Sequence, residues 1–405
     1  MRMKNEGRAL VLAAAAVTGS FSGAAYMWSI FNMPLIDQFG WDVRQVSLAY
    51  SLFFLMGSIS SFLAGWLQRR MRSNLLVLGA GTLFSLGWFL TGFVGSVPLL
   101  YVTFSLIGGF GDGLVYNTAV ATATRWFPDK RGFANGVCVG CMGLSALVFA
   151  PMGNALIAAF GPSGAFRICG VVFLAFFLVF SWFVKAPEPG WAPEGWDPST
   201  LVDVGSSDRD MGLFQMLRTP LFWVLWVMFV AATTSGMMMT GHASNIGQDL
   251  AHMTAAQGTM MVGILSIGNF CGRFGFGWLS DKIGRYATLA VILVMTGVDM
   301  LLFFGHATTF GTFMVALVFV GACFGGTMSV VPSLCADLFG SRNFGQNYAA
   351  LYTGYTVAAF VGPSLAAWIF AQTGAYNLAF VVAGLLACGA IVLVYIDRKL
   401  ALRVA

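Results

Sequence analysis

The sequence predicts an all-α membrane protein of twelve transmembrane helices in two six-helix halves, with the N- and C-termini cytoplasmic, and three observations carry that prediction. Of 405 residues, 58% are hydrophobic and only 9% charged, with a mean hydropathy of +0.80; an ordinary soluble domain is roughly 25% charged. Apolar runs of about 20 residues, the length that crosses about 30 Å of hydrocarbon at about 1.5 Å per residue, recur twelve times. Shifted on itself by 212 positions, the sequence keeps one register over much of its length.

The first run, 9–33, follows Arg2, Lys4 and Arg8. At about 25 residues it is too long for the apolar core of a secretory signal, so it reads as a retained helix. The second, 45–67, meets the basic loop Arg69, Arg70 and Arg72, from which the third, 74–95, departs. The fourth, 99–123, exits at Arg125, Lys130 and Arg131; the fifth and sixth, 133–159 and 165–184, return to Lys185. After Arg209 and Arg218 come the seventh, 219–245, and the eighth, 256–280, which leaves the membrane at Lys282 and Arg285. The ninth, 286–305, and tenth, 309–335, lead to Arg342, and the eleventh and twelfth, 345–372 and 375–396, to Arg398, Lys399 and Arg403. With a cytoplasmic N-terminus, every basic residue except Arg44, Arg167 and Arg273 lies on the cytoplasmic side, as the positive-inside rule requires.

The net charge of +5 therefore reflects topology and not nucleic-acid binding. Seven cysteines, including the pair Cys138 and Cys141, sit in apolar helix-like segments, where packing is expected and neither a disulfide framework nor a metal site is implied. No cofactor is expected. The expected partners are a small-molecule substrate and the lipid bilayer, with protons as a further candidate, and the chain is expected to be a monomer.

The repeat divides the chain into a six-helix bundle at 1–184, a cytoplasmic linker at 185–218 and a second six-helix bundle at 219–405. At the 212-residue offset "GWLQRRMRS" (65–73) lies on "GWLSDKIGR" (277–285), Phe127 on Phe339, Asn135 on Asn347 and Pro151 on Pro363, all without a gap. The pattern implies two halves of parallel topology. The linker, rich in proline and holding Glu188, Glu194, Asp197, Asp203, Asp208 and Asp210, reads as a solvated tether.

Two six-helix halves joined in this way, with "GWLSDKIGR" after the eighth span, resemble the major facilitator superfamily and its GxLaDrxGrr signature. The resemblance implies that Gly277 lets helices approach and that Asp281 and Arg285 make cytoplasmic gate contacts. In the first copy Arg69 stands at the Asp position and Ser73 at the Arg position, so a charge-based gate is not expected to be symmetric. Within the superfamily, "RWFPDKRG" (125–132), "MLRTPLFWVLW" (216–226), "SDKIGRY" (280–286) and, more loosely, "AYMWSIFNMP" (25–34) are similar to segments of the oxalate:formate antiporter family and its bacterial monocarboxylate-transporter relatives.

Arg273 interrupts the eighth span about 12 Å inside Asp281, at about 1.5 Å per residue. An arginine there costs on the order of 3 kcal/mol to insert, so something must compensate. A structural arginine would be met by carbonyls or by an interior acid such as Asp112 or Asp299. A binding arginine would use its planar fork on a carboxylate, with Gly272, Gly275 and Gly277 leaving room around it. The resemblance favours binding, because Arg273 aligns with the family's substrate arginine. The family's second cation, a lysine in the eleventh helix, is replaced by Tyr355, which implies a monocarboxylate over a dianion. Further substrate-binding candidates are Tyr26 and Trp28, Tyr116 and Asn117, Phe324 and Tyr352.

Coupling is open between anion exchange and proton symport. Eukaryotic monocarboxylate transporters carry an aspartate four residues before the matching arginine, where this chain has Asn269, so exchange fits directly. Proton symport would have to use Asp112, His242 or the substrate's own proton. The glycines of "GGFGDGLVYN" mimic a phosphate loop but sit inside a membrane span, which implies close packing and not a nucleotide. The absence of HExxH, of GxSxG and of an interior His–carboxylate cluster argues against an enzyme, and a non-transporting sensor would be expected to bring an added domain.

Overall fold

A computed structural model describes residues 6–188, 191–193 and 210–404. The chain is helical throughout, and ten of its described helical stretches are long and apolar enough to cross a membrane. They divide into two compact units.

The first unit contains 1–128, 141–194 and 344–349. Its first span is not one helix: α1 (Glu6–Ser22) passes through a 3-10 turn at Gly23–Met27 into α2 (Trp28–Phe39). The turn sits where a Cβ on Gly23 would fall 2.3 Å from the carbonyl oxygen of Met142, a backbone approach that only glycine permits. α3 (Val43–Leu67) and α4 (Ser73–Thr91) follow. The fourth span runs as α5 (Val97–Leu100), eight π-helical residues (Tyr101–Gly108) and α6 (Gly109–Trp126).

α7 (Arg131–Phe180) covers the fifth and sixth runs, broken at Gly161. Its φ of 68° and ψ of 172° are accessible essentially only to glycine. The core of this unit is aromatic: Trp28 stacks on Phe104 at 4.1 Å, Phe31 on Phe166 at 4.1 Å, and Trp88 meets Phe166 and Phe173.

The second unit contains 129–140, 195–343 and 350–405. Its described elements are a short α8 (Leu213–Leu217), α9 (Pro220–Leu250), α10 (Ala255–Ile283), α11 (Arg285–Val298) with a π turn at Asp299–Phe303, α12 (Phe310–Phe339), α13 (Phe344–Thr373) and α14 (Asn377–Val404). Three of these helices begin in a threonine that accepts an N–H from their first turn: Thr219, Thr254 and Thr309. Gly284, at a φ of 92°, ends α10 and lets Arg285 start α11 at once. α10 and α12 touch backbone to backbone, since a Cβ on Gly272 would lie 1.9 Å from the carbonyl oxygen of Ala322. The core here is built from methionine and phenylalanine, Met238, Met239, Met300, Phe304, Phe313 and Phe380 among them.

The units do not follow the repeat boundary. The start of α7 counts with the second unit and the start of α13 with the first, and these two segments are repeat mates. The described ends of the linker are anchored more firmly than a solvated tether would be. Trp126 donates to the carbonyl of Lys185 and its ring meets Trp191 at 4.6 Å. At the other end Asp210 accepts from the backbone N–H of Arg342, and Met211 donates to the carbonyl of Phe339.

Candidate functional site

Four charged side chains cluster at the C-terminal end of α10. Arg285 donates to Asp281 at 2.5 Å, to Ser280 at 2.7 Å and to Asp337 at 3.0 Å, and Arg131 bonds the other oxygen of Asp337. All four side chains are about nine-tenths buried or more. Asp281 also accepts the backbone N–H groups of Gly132 (3.0 Å) and Phe133 (2.7 Å), placing a carboxylate on the positive end of α7. The set of two acids and two bases is neutral as a whole, and each partner supplies a charge-assisted bond to at least one other.

Gly277 admits this arrangement: a Cβ on it would come within 2.5 Å of the carbonyl oxygen of Gly132. The expected gate residues Gly277, Asp281 and Arg285 thus meet in one cluster. The sequence reading missed Asp337, although it closes the tenth span, and gave Arg131 no role beyond its place in "RWFPDKRG".

Eight residues before Asp281 on the same helix, Arg273 is 3% exposed. It makes no ion pair among the described residues; Nη1 donates to the carbonyl oxygen of Val139 at 2.5 Å, and Nε is left without a partner. Neither Asp112 nor Asp299 compensates it by an ion pair: each is buried, forms no salt bridge among the described residues and keeps one carboxyl oxygen unbonded. α12 passes beside Arg273. Gly325 sits 3.1 Å, by its hypothetical Cβ, from Arg273 Cγ; its neighbour Phe324 lies parallel to Tyr355 at 6.4 Å, and Tyr355 stacks on Tyr352 at 4.9 Å. Phe324, Tyr355 and Tyr352 thus form an aromatic row across α12 and α13 in the second unit, the unit that also holds Arg273.

The remaining candidates divide. Tyr116 and Asn117 lie in the first unit and are committed to its own structure: Tyr116 shares a hydrogen bond with the hydroxyl of Tyr348, while Asn117 donates to the carbonyl of Gly345 and accepts from Gln68. Trp28 is 2% exposed inside the aromatic core, stacked on Phe104 at 4.1 Å and tilted against Phe166 at 6.3 Å. The side chain of Tyr26 lies outside the described residues. Asp112 lies beside Gly57, whose small size leaves 3.6 Å between a built Cβ and the carboxyl oxygen. His242 bonds the carbonyl of Pro363 through Nε2 and leaves Nδ1 open, 6.1 Å between its ring and that of Tyr376.

A helical membrane chain with an internal repeat, a glycine-spaced charge cluster and a buried arginine that makes no ion pair among the described residues is the pattern expected of a facilitator-type transporter. The Major Facilitator Superfamily family model matches residues 12–305 and 246–403, and the chain belongs to that superfamily. It is 31% identical over 351 residues to the uncharacterized MFS-type transporter YhjX of Escherichia coli K12, covering 86% of this chain and 85% of that one. It is 30% identical over 362 residues to the oxalate:formate antiporter of Oxalobacter formigenes, covering 89% and 84%. Monocarboxylate transporter 12 of Xenopus laevis is a more distant relative at 23% over 380 residues, covering 88% and 81%. The fold matches that of a superfamily transporter, FucP, solved in the outward conformation, with a TM-score of 0.73 over 96% of this chain and 99% of that one, at 15% identity. These relatives are transporters and not enzymes, and this chain is a multi-pass membrane protein.

Proposed function

We propose that the protein is a twelve-helix secondary transporter of the bacterial cytoplasmic membrane that moves a small organic monoanion of the lactate or formate class by alternating access and anion exchange. The observation that carries this reading is Arg273, a buried guanidinium with no carboxylate paired to it among the described residues. A charge in that position is costly unless neutralised, and an incoming carboxylate supplies both the charge and the geometry for a two-pronged hydrogen bond. The hydroxyls of Tyr352 and Tyr355 add neutral donors, so one cation faces one anion. Oxalate would bring a second negative charge with no second cation to meet it. The twelve-helix division is supported by the break at Gly161, which turns α7 into two spans, and by α10, a 29-residue helix that adds to the ten apolar stretches.

The test is exchange in proteoliposomes loaded with unlabelled anion, with labelled lactate, formate and oxalate outside. Lactate or formate should compete better than oxalate, and Arg273→Gln should abolish binding, a loss on the order of 2–5 kcal/mol for a carboxylate left unpaired. Saturable transport by that variant at the normal rate would make Arg273 structural. Clear preference for oxalate would overturn the charge argument. Proton-coupled symport is the second reading, favoured by Asp112, a buried carboxyl without an ion pair among the described residues. Concentrative uptake into anion-free vesicles, driven by an inward proton gradient and lost in Asp112→Asn, would replace exchange with symport.

A further inference from the structure

Arg273 has a partner, and that partner is backbone. The carbonyl of Val139 lies inside α7, where it also stands opposite the N–H four residues on, so the guanidinium is an additional donor to an oxygen already placed in the helix ladder. A neutral carbonyl cannot balance a cation.

The contact exists because α7 is stripped of side chains there. A Cβ on Gly136 would lie 2.5 Å from the carbonyl oxygen of Arg273, and one on Gly140 would touch the Phe270 ring and stand 3.9 Å from Arg273 Cβ. At the 212-residue offset the mates of Gly136 and Gly140 are Tyr348 and Tyr352, and the mate of Arg273 is Ser61. The other repeat thus carries side chains at these places, and the glycine at 136 answers the close approach of the α10 backbone at Arg273. The segment that Arg273 grips, 129–140, is also the part of α7 that belongs to the second unit, and the helix changes units one residue later, at Cys141.

We propose that the Arg273–Val139 contact is a latch that the transported anion opens. This rests on the reading of Arg273 as the anion anchor. A carboxylate at the guanidinium brings a full opposite charge and can take two parallel N–H bonds, which a single neutral carbonyl cannot match, so it displaces the Val139 carbonyl. α7 then loses the polar tie to α10 that the Arg273–Val139 bond supplies. A ligand shifts a conformational equilibrium only by its different affinity for the two states, and competition for one guanidinium supplies that difference. The empty protein stays latched and the loaded one is released, which makes return of the carrier depend on a bound anion and yields exchange without a second cation.

Cys138, 1% exposed and on the side of α7 turned away from Gly136 and Gly140, reports whether α7 moves as a whole when the latch opens. In the full-length protein with Cys141, Cys271 and Cys388 replaced by serine, maleimide labelling of Cys138 is followed by mass spectrometry in chloride and in saturating formate, beside equilibrium binding of labelled formate. Formate should raise the labelling rate on the order of 5- to 150-fold, the usual range of coupling between sites. Gly136→Ala, which forces the helices apart while keeping the arginine, should label fast in chloride and still bind formate. Arg273→Gln should label fast in both buffers. If formate binds and Cys138 stays slow, or if Gly136→Ala labels at the parent rate, the latch is wrong while the transport reading stands. If formate, lactate and oxalate all fail to bind the parent protein, the transport reading falls and the latch with it.

Discussion

The crossing of α10 with the start of α7 and the crossing of α3 with the start of α13 are repeat mates, and they share a backbone but not a chemistry. In both, glycine brings the main chains into contact: Gly277 faces the Gly132 carbonyl, and Gly65 faces Gly345 and Gln346, where a Cβ would fall within 2.3 Å of the Gln346 nitrogen. Around the first crossing stand Asp281, Arg285, Asp337 and Arg131. Around the second, the matching positions hold Arg69, Ser73, Arg125 and Asn343. Ties between neutral groups stand there: Gln68 donates to Asn117 at 2.9 Å, Asn117 to the Gly345 carbonyl at 3.1 Å, and Tyr116 meets Tyr348 at 3.1 Å. The difference teaches that close helix approach, which steric necessity preserves, is separable from the charges that secure it.

The largest test of that separation is Asp337→Asn. It leaves Arg285 and Arg131 with one acid between them in a buried site, so thermal stability in detergent should fall by about 3–5 kcal/mol, whereas no single change at the neutral crossing should match it. Equal losses from Asn117→Ala would show that the charges add nothing. Next come Gly277→Ala and Gly65→Ala. Each forces a methyl into backbone, and overpacking of this kind costs about 1–3 kcal/mol; the two losses should be alike, measured by unfolding midpoints, because the geometry is shared. A harmless Gly65→Ala would confine the glycine requirement to the charged crossing.

Asn117→Ala should cost about 1 kcal/mol, the net worth of the hydrogen bonds it removes, with no dependence on salt. The smallest effect belongs to Arg69→Asp, which copies Asp281 into the other repeat. α13 starts at Phe344 with no side-chain cap from Asn343, so an acid near its positive end should stabilise by about 0.3–1 kcal/mol at low ionic strength and less in salt. A loss of stability there would mean that Arg69 is itself tied to the lipid or solvent side in a way the repeat does not reveal.

Much of the architecture was legible because membranes impose simple rules. The span at 309–335 appears as Phe310–Phe339, and that at 345–372 as Phe344–Thr373, within a few residues of the hydropathy reading. The first span was less legible: its 3-10 turn at Gly23–Met27 arises from contact with Met142, a residue far away in the chain that hydropathy cannot register. The same limit applies to Trp28. An aromatic in a membrane helix carries no mark of whether it faces a cavity or another ring, and only packing placed it against Phe104 and Phe166.

By itself the sequence determined the helical class and the repeat and marked Arg273 as an exception, because the cost of placing polar and charged groups in hydrocarbon restricts where they occur and makes each exception conspicuous. Tertiary structure decided the partners. It joined Asp337 and Arg131 to Arg285, set Asp281 on the N-terminus of α7 and gave Arg273 the carbonyl of Val139. Those contacts span up to 206 residues of chain, and a hydrogen bond depends on ångström-scale distance and direction, which a one-dimensional pattern of apolar runs does not encode.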